Sequence, residues 1–139
     1  VFFSRMGYVR KLAYEEADRS GAAVYENRST ERTERTLGVW WCGRSGMHRW
    51  DMPVAPIDID LTAYEYVTIC SPIWVFELAA PVRAFARAAA GKIQEADYIL
   101  VHHQNNRYEN AVRELDDLLG IPHTGFRSVR CREGVYREC

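Results

Sequence analysis

The stretch that decides the fold is Val1-Phe2-Phe3-Ser4-Arg5-Met6-Gly7-Tyr8-Val9-Arg10-Lys11-Leu12-Ala13. Its first three residues form an unbroken apolar run of β-formers, which is typical of a strand covered on both faces by helices. The pattern then changes to helical spacing, and the apolar face consists of Val9, Leu12, Ala13 and Ala17. Gly21 is the expected end of this helix. The stretch therefore predicts a buried strand that turns directly into an amphipathic helix.

The turn between this strand and this helix runs from Ser4 to Gly7. Glycine permits a backbone angle, or a close approach to the backbone, that a side chain would block. The free N–H groups of a first helical turn point outward, and the helix dipole adds positive charge at the same place. A phosphate is the ligand that such a turn favours. The sequence therefore predicts a phosphate site here without identifying the phosphate.

Length, composition and charge limit the class of protein. A chain of 139 residues that is 47% hydrophobic predicts one globular domain over residues 1–139. The 18 basic and 19 acidic residues give a net charge of −1, which argues against nucleic acid as a partner. No apolar run reaches the roughly 18 residues that a membrane span needs, so no membrane partner is expected. The chain begins without Met inside an apparent strand, so further residues are expected upstream.

The four cysteines are Cys42, Cys70, Cys131 and Cys139. Their spacing is unlike that of a zinc site, and we expect no metal. Cys70 falls in an apolar strand, where it is interpreted as a small buried residue. Pairing of Cys131 with Cys139 is one alternative, but reduced thiols in a cytoplasmic protein are favoured.

The remaining pattern alternates between strands and helices. After the first strand, strands are predicted at 22–26, 66–71, 98–102 and 126–131, and helices at 37–50, 81–91 and 108–119. This alternation is typical of an α/β protein with a doubly wound parallel sheet of five strands. The first, third and fourth strands are the most apolar, which favours the spatial order 2-1-3-4-5 with the mixed strands at the edges.

Residues 37–50 permit two interpretations. Apolar residues recur at helical spacing, and a helix is what a crossover between parallel strands needs, although three glycines disfavour it. The favoured interpretation is a crossover helix whose aromatic residues Trp40, Trp41 and Trp50 belong to the core. The alternative is a loop that covers a flat ring ligand.

Two predictions concern the later helices. Arg83 and Arg87 are four residues apart on one stripe of the helix at 81–91, and we expect a solvated face there, with an acidic partner as the alternative. Asn106 is expected to be the N-cap of the helix at 108–119.

The first loop carries a resemblance to a known family. Ser4-Arg5-Met6-Gly7-Tyr8-Val9 resembles the phosphate loop of the flavodoxin-like family, in which a strand ends in Ser/Thr-x-Thr-Gly-x-Thr. Met6 and Val9 replace two hydroxyl residues of that motif, so that only Ser4 retains a side chain that donates to a phosphate oxygen. Backbone donors survive every substitution except proline. The resemblance therefore implies a phosphate site made mainly by backbone amides.

A second segment, Ser71-Pro72-Ile73-Trp74-Val75-Phe76, resembles the loop that walls the flavin ring in that family. The resemblance implies that Trp74, and after it Phe76, lies against the ring, because an indole beside a flat π-system buries area and stacks. The alternative is that Trp74 packs beneath the following helix.

The loop after residues 98–102 corresponds to the family's loop at the polar edge of the flavin. Here it lacks glycine, and His103, Gln104 and Asn105 offer side-chain donors for the ring carbonyls. A capping role is the alternative. His102 and His103 are not expected to share a metal, because adjacent strand residues point to opposite faces.

The resemblance implies a flavodoxin-like protein that binds FMN non-covalently where the turn at 4–9 and Trp74 converge. Its implied role is electron transfer or flavin-dependent reduction, with a redox partner protein or small substrate that the sequence does not identify. The alternative is a flavodoxin-like fold that has lost FMN and serves as a binding or regulatory module. A nicotinamide-dependent quinone or azo reductase is a third possibility, for which no second nucleotide site is evident in the sequence.

Overall fold

The computed structural model describes residues 1–30, 35–48 and 50–139. Helices and strands alternate along most of this chain, as the sequence predicts. In chain order they are α1 (Tyr8–Ser20), α2 (Arg35–His48), β1 (Tyr66–Trp74), β2 (Glu77–Leu78), α3 (Ala80–Ala89), β3 (Glu95–His102), α4 (Glu109–Leu119), β4 (Gly125–Arg132) and β5 (Val135–Glu138). Among the described residues, no helix has the length and apolar character needed to cross a membrane.

The centre of the sheet is parallel and its edges are antiparallel. The strand order is β2-β1-β3-β4-β5, with β1, β3 and β4 parallel to one another. The short strands β2 and β5 run antiparallel to their neighbours. On the side of β1 away from β3, Phe2 forms parallel bridges to Cys70 and to Glu26. The predicted spatial order 2-1-3-4-5 is therefore confirmed, with residues 1–3 lying between 22–26 and β1.

The first two predicted strands are shorter in the structure than in the prediction. Phe2 N–H donates to Tyr25 O at 3.0 Å and Asn27 N–H donates to Phe2 O at 2.7 Å, and each segment contributes a single bridging residue, Phe2 and Glu26. The sheet is mixed because two short antiparallel strands, β2 and β5, are added to the predicted parallel set.

Helices cover both faces of the sheet. On β3, Tyr98 and Leu100 pack in the core cluster that contains α3 and α4, while Ile99 and Val101 pack in the cluster that contains α1. This alternation is the period of two that a strand imposes. It explains why the central strands read as continuous apolar runs.

The predicted faces of α1 and α3 agree with the structure, with one exception. The four apolar residues predicted for α1 are its four buried residues. On α3, however, Arg83 is 1% exposed and pairs with Glu114, although we expected it on a solvated face. Arg87, four residues later, is exposed as predicted and pairs with Asp51. The sequence around Arg83 did not show that an acidic residue would pair with it, because its partner Glu114 lies on another helix, α4.

The helix at 37–50 is confirmed as α2, but the prediction that its aromatic residues are core was wrong for two of them. Trp40 is 56% exposed and Trp50 is 46% exposed. The side chain of Trp41 lies outside the described residues. Among the described side chains of α2, Cys42 and Ser45 are buried, and Cys42 packs with Met52 and Ala80.

Two local predictions also need correction. Tyr108, with φ 55°, is the N-cap of α4, and the Asn106 side chain instead accepts a hydrogen bond from Tyr108 N–H at 3.0 Å. β1 continues to Trp74 rather than ending at residue 71, so the segment 71–76 is a strand end and a hairpin turn rather than an open loop.

A cleft at the carboxyl edge of the sheet

The three segments singled out in the sequence meet at one cleft, where the parallel strands end. The cleft has a volume of about 260 Å³. Its walls come from the turn before α1, the end of β1, the ends of β3 and β4, and the middle of α2. The lining residues are Ser4, Arg5, Met6, Tyr8, Val9, Cys42, Gly43, Pro72, Ile73, Trp74, Val75, Val101, His102, His103 and Cys131.

The turn before α1 has the geometry of an anion site. Gly7 adopts φ 91°, in the left-handed region, and its N–H donates to Ser4 Oγ at 3.0 Å. The first helical hydrogen bond runs from Lys11 N–H to Gly7 O at 3.0 Å. The amides of the first helical turn have no partner within the helix. A Cβ added to Gly7 would meet nothing within 4 Å, so the space beside this residue is open.

The other residues of the turn leave this space accessible. Met6 is 67% exposed, whereas Val9 is buried in the core cluster under α1. The hydroxyl of Tyr136 donates to Tyr8 O at 2.9 Å, which connects β5 to the start of α1. The hairpin of β4 and β5, which the sequence did not predict, therefore holds the first turn of the helix in place.

Trp74 both lines the cleft and contacts the core. Its ring meets that of Phe3 edge to face, with the centroids 5.5 Å apart and an interplanar angle of 82°. It also packs against the core clusters that contain α3 and Cys42. The sequence left open whether Trp74 lies beside a ligand or packs beneath the following helix. In the structure Trp74 both borders the cleft and packs against the core.

Trp74 is followed by a strained two-residue turn. Val75 and Phe76 adopt φ 50° and 66°, and β1 and β2 pair on either side of them. Two positive φ values are the requirement of a type I′ hairpin, but neither residue is glycine or asparagine. The left-handed conformation costs an L-residue roughly 1–2 kcal/mol. Contacts elsewhere must therefore hold this turn, and they position Val75 in the cleft.

The two histidines after β3 have different surroundings. His103 is exposed at the cleft, and its Nδ1 donates to Cys131 O at 2.8 Å, because a carbonyl only accepts. Its Nε2 therefore accepts when the ring is neutral and donates when it is protonated. Arg132 Nε donates to His103 O at 3.1 Å, which fixes the backbone here.

His102 is buried, with Nδ1 2.6 Å from Gln104 O and Nε2 2.7 Å from Ser128 Oγ. Burial lowers the pKa of His102, and the carbonyl of Gln104 opposes this shift. The ring therefore favours its neutral form. Its contact with Gln104 O stabilises the loop 103–106.

Charge in the cleft is positive near the predicted phosphate turn. Arg5 lines the cleft, and its guanidinium opposes the burial that raises the pKa of Cys42 to about 11. Cys42 is therefore a neutral thiol at neutral pH. Among the residues that the structure describes, no group of three or more His, Cys, Asp or Glu side chains is arranged to hold a metal ion.

Most of the predicted site residues line this cleft, but three do not. Gly7 shapes the turn through its backbone, Ser71 is buried with its hydroxyl donating to Pro72 O at 2.8 Å, and Gln104 lies on the exposed loop. Five lining residues were missed, namely Cys42, Gly43, Val101, His102 and Cys131. Val101, His102 and Cys131 lie at the carboxyl ends of predicted strands. Because ligands of open α/β sheets bind at these ends, the three residues could have been predicted. Cys42 and Gly43 belong to residues 37–50, for which a loop covering a flat ring ligand was only the alternative interpretation.

The parallel centre of the sheet, its strand order and a cleft at the point where that order reverses define a doubly wound, flavodoxin-like fold. Solved flavoprotein structures share this fold. A flavoprotein from Lactobacillus acidophilus, solved in complex with FMN, matches with a TM-score of 0.76 and 17% identity, over 91% of this chain and 89% of that one.

Two proteins assigned as flavoproteins, from Bacteroides species, match equally well. The protein from B. eggerthii has a TM-score of 0.80 and 13% identity, over 96% of this chain and 87% of its own. The protein from B. uniformis has a TM-score of 0.79 and 18% identity, over 96% and 89%. No protein-family model and no curated protein sequence matches the chain. At these identities the likeness extends to the fold.

Proposed function

We propose that this chain, as one flavodoxin-like domain, binds FMN non-covalently in the cleft and acts in electron transfer or flavin-dependent reduction. The observation that carries the proposal is the convergence of the turn at 4–9 and Trp74 on one cleft. The fold is shared with a flavoprotein solved in complex with FMN, which supports the same ligand.

The phosphate of FMN fits the turn before α1. The first-turn amides and the positive end of the helix dipole together favour a dianion, and no atom crowds the position beside Gly7. The Ser4 oxygen accepts from Gly7 N–H, so its own O–H remains available to donate to a phosphate oxygen. Arg5 supplies positive charge beside the turn.

The ring of FMN fits the apolar half of the cleft. Trp74, Val75 and Ile73 form one wall and Val101 lies at its base. Aromatic and aliphatic side chains beside a flat ring bury area and exclude water. His103 lines the same cleft, and its Nδ1 is engaged by Cys131 O, so Nε2 is the ring atom that remains to hydrogen-bond a polar edge of the flavin.

The flavin supplies the redox chemistry when it is bound. The chain's own residues bind it, orient it and keep water from one face. The redox partner stays unspecified in this proposal.

An absorption spectrum of the purified protein, followed by titration of the apoprotein with FMN, tests the proposal. A yellow protein with flavin absorption bands, or an apoprotein whose tryptophan fluorescence is quenched by added FMN, is the expected result. A colourless protein that takes up no added FMN would contradict it.

That contradictory result would favour the second candidate, a fold that has lost the cofactor and serves as a binding or regulatory module. One observation favours this candidate, which is that Met6 and Val9 stand where the resembling motif has hydroxyls. Val9 is 3% exposed and Met6 is 67% exposed, and neither side chain offers a donor.

A further inference from the structure

A buried ion pair lies behind the hairpin that carries Trp74. The side chains of Arg83 on α3 and Glu114 on α4 are 1% and 8% exposed. Arg83 Nε donates to Glu114 Oε1, and Nη2 lies 3.5 Å from Oε2, so the guanidinium meets the carboxylate in a two-pronged arrangement. Burial of two charges costs free energy, and such pairs are often replaceable by apolar residues without loss of stability. Stability alone is therefore a poor reason for this pair.

The remaining donors of Arg83 bind two elements of the cleft. Nη2 donates to Leu78 O at 3.1 Å, on the strand β2 that returns from the hairpin turn. Nη1 donates to Trp50 O at 3.0 Å, just after the end of α2. One guanidinium thus joins β2 and the end of α2 to Glu114.

Both of these elements contribute to the cleft. α2 supplies Cys42 and Gly43 to its lining, and the hairpin supplies Trp74 and Val75. They also lie close to each other, because a Cβ added to Gly43 would lie 3.8 Å from Val75 Cγ2. A shift of either element would therefore change the width of the cleft between α2 and the indole.

The hairpin turn needs such support because Val75 and Phe76 are held at positive φ. Strained backbone persists only where its surroundings over-determine it, and it is concentrated at functional sites. A second contact comes from α4, where Asn110 Nδ2 donates to Phe76 O at 3.1 Å and to Glu77 Oε2 at 3.3 Å. The helices α3 and α4 therefore hold both the turn and the strand that follows it.

We infer that Arg83 and Glu114 are positioning residues that set the place of Trp74 and Val75 against the ring of the bound cofactor. The part of this inference that concerns the flavin rests on the proposed function. The other part, that Arg83 and Glu114 fix the hairpin, applies to the protein without ligand as well. Arg83 is not one of the residues that line the cleft, and it reaches the cleft elements through the backbone carbonyls of Leu78 and Trp50.

The decisive variant replaces both charges, Arg83→Met together with Glu114→Leu, because removal of one alone would leave a buried charge and endanger folding. Arg83→Lys is the conservative variant, which keeps the charge but lacks the planar fork that reaches several acceptors at once. Leu119→Ala is the matched control, since Leu119 is a buried core residue at the far end of α4. It should lower the thermal midpoint without loosening the hairpin.

Three measurements are made on each variant, namely the thermal midpoint, hydrogen exchange of residues 73–79 in the apoprotein, and the affinities for FMN and for riboflavin. We expect the double variant to remain folded and to exchange faster at 73–79. It should bind both flavins about tenfold more weakly, which is the size of effect seen when residues that orient the ligands of a metal site are replaced. The loss should be equal for the two flavins, because it concerns the ring. Arg83→Lys should show the same defects, and Leu119→Ala neither.

Unchanged exchange and unchanged flavin affinity in the double variant would overturn the inference. If the wild-type protein binds no flavin, the proposed function fails, and hydrogen exchange at 73–79 still decides whether the pair fixes the hairpin.

Discussion

The N–H of Gly7 donates to the hydroxyl oxygen of Ser4 at 3.0 Å, across the turn that joins the first segment to α1. This contact closes the turn and leaves the Ser4 proton free to point outward. It combines the two residues of the turn for which the sequence predicted a phosphate role. The turn is therefore shaped before any ligand arrives, which lowers the entropic cost of binding an anion.

Substitution Ser4→Ala removes one donor to the phosphate and the acceptor for Gly7 N–H. We expect FMN affinity to fall by about 1–3 kcal/mol, the value of a hydrogen bond to a charged group. Riboflavin lacks the phosphate, so its affinity should change much less. Fluorescence titrations with the two flavins make the comparison, and an equal loss for both would place the phosphate away from Ser4.

Gly7→Val forces a β-branched residue into φ 91°. Gly21→Val is its matched control, because Gly21 has φ 72° at the opposite end of the same helix, remote from the cleft. Each substitution should lower the free energy of unfolding by roughly 1–2 kcal/mol or more, from strain alone. Only Gly7→Val should also weaken FMN binding, because it distorts the turn that presents the first-turn amides to the phosphate and hinders close approach to the backbone. Denaturant unfolding and FMN titration separate the two effects.

Trp74→Leu removes the indole from the cleft. We expect weaker binding of FMN and riboflavin alike, by about 0.5–1.5 kcal/mol beyond the area lost, because ring stacking is lost for both. Trp40→Leu serves as the control, since Trp40 is exposed and does not line the cleft. Tryptophan fluorescence quenching by FMN should also decrease in Trp74→Leu. Equal affinity in the Trp74 variant and the wild type would show that the ring lies elsewhere.

Cysteine labelling tests the electrostatics of the cleft. Burial raises the pKa of Cys42 and of Cys70 to about 11, so at pH 8 only about 0.1% of either is thiolate, which is the reactive form. Iodoacetamide should therefore modify the half-exposed Cys139 first, as mass spectrometry of peptides would show. Labelling of Cys42 should accelerate as the pH is raised toward 11. Fast modification of Cys42 at pH 8 would contradict this description of the cleft.

Stability should decrease in mild acid because of His102. Its folded-state pKa lies below the ordinary value of 6.5, mainly through burial, so the unfolded chain binds more protons below that pH. The stabilisation is complete above pH 6.5 and is lost as the pH falls toward the folded-state pKa. Thermal midpoints measured between pH 8 and pH 5 should drop, and the drop should be smaller in His102→Gln. The same pH dependence in both proteins would assign the effect to other groups.

Local patterns in the sequence predicted much of this fold. The buried face of α1 follows from helical spacing, and the order of the sheet follows from the relative apolarity of its strands, because both depend on residues close in sequence. The strand β5 was not predicted. Gly134 indicates the hairpin turn before it, in which Glu133 and Gly134 have φ 50° and 80°.

Two features had no local signal. The turn at Val75 and Phe76 contains no glycine or asparagine, and its support comes from distant residues, since Asn110 on α4 donates to Phe76 O and Arg83 on α3 donates to Leu78 O on the following strand. The burial of Arg83 depends on Glu114, 31 residues away, which no periodicity reveals. Contacts between distant residues therefore determine the part of the site that the sequence could not predict.

A crystal structure of the protein soaked or grown with FMN tests the central claim most directly. The account predicts the phosphate within hydrogen-bond distance of the amides at 8–10 and the Ser4 hydroxyl, with the flavin ring beside Trp74. Density for the flavin at any other place, or a cleft that stays free of flavin at saturating FMN, would contradict it.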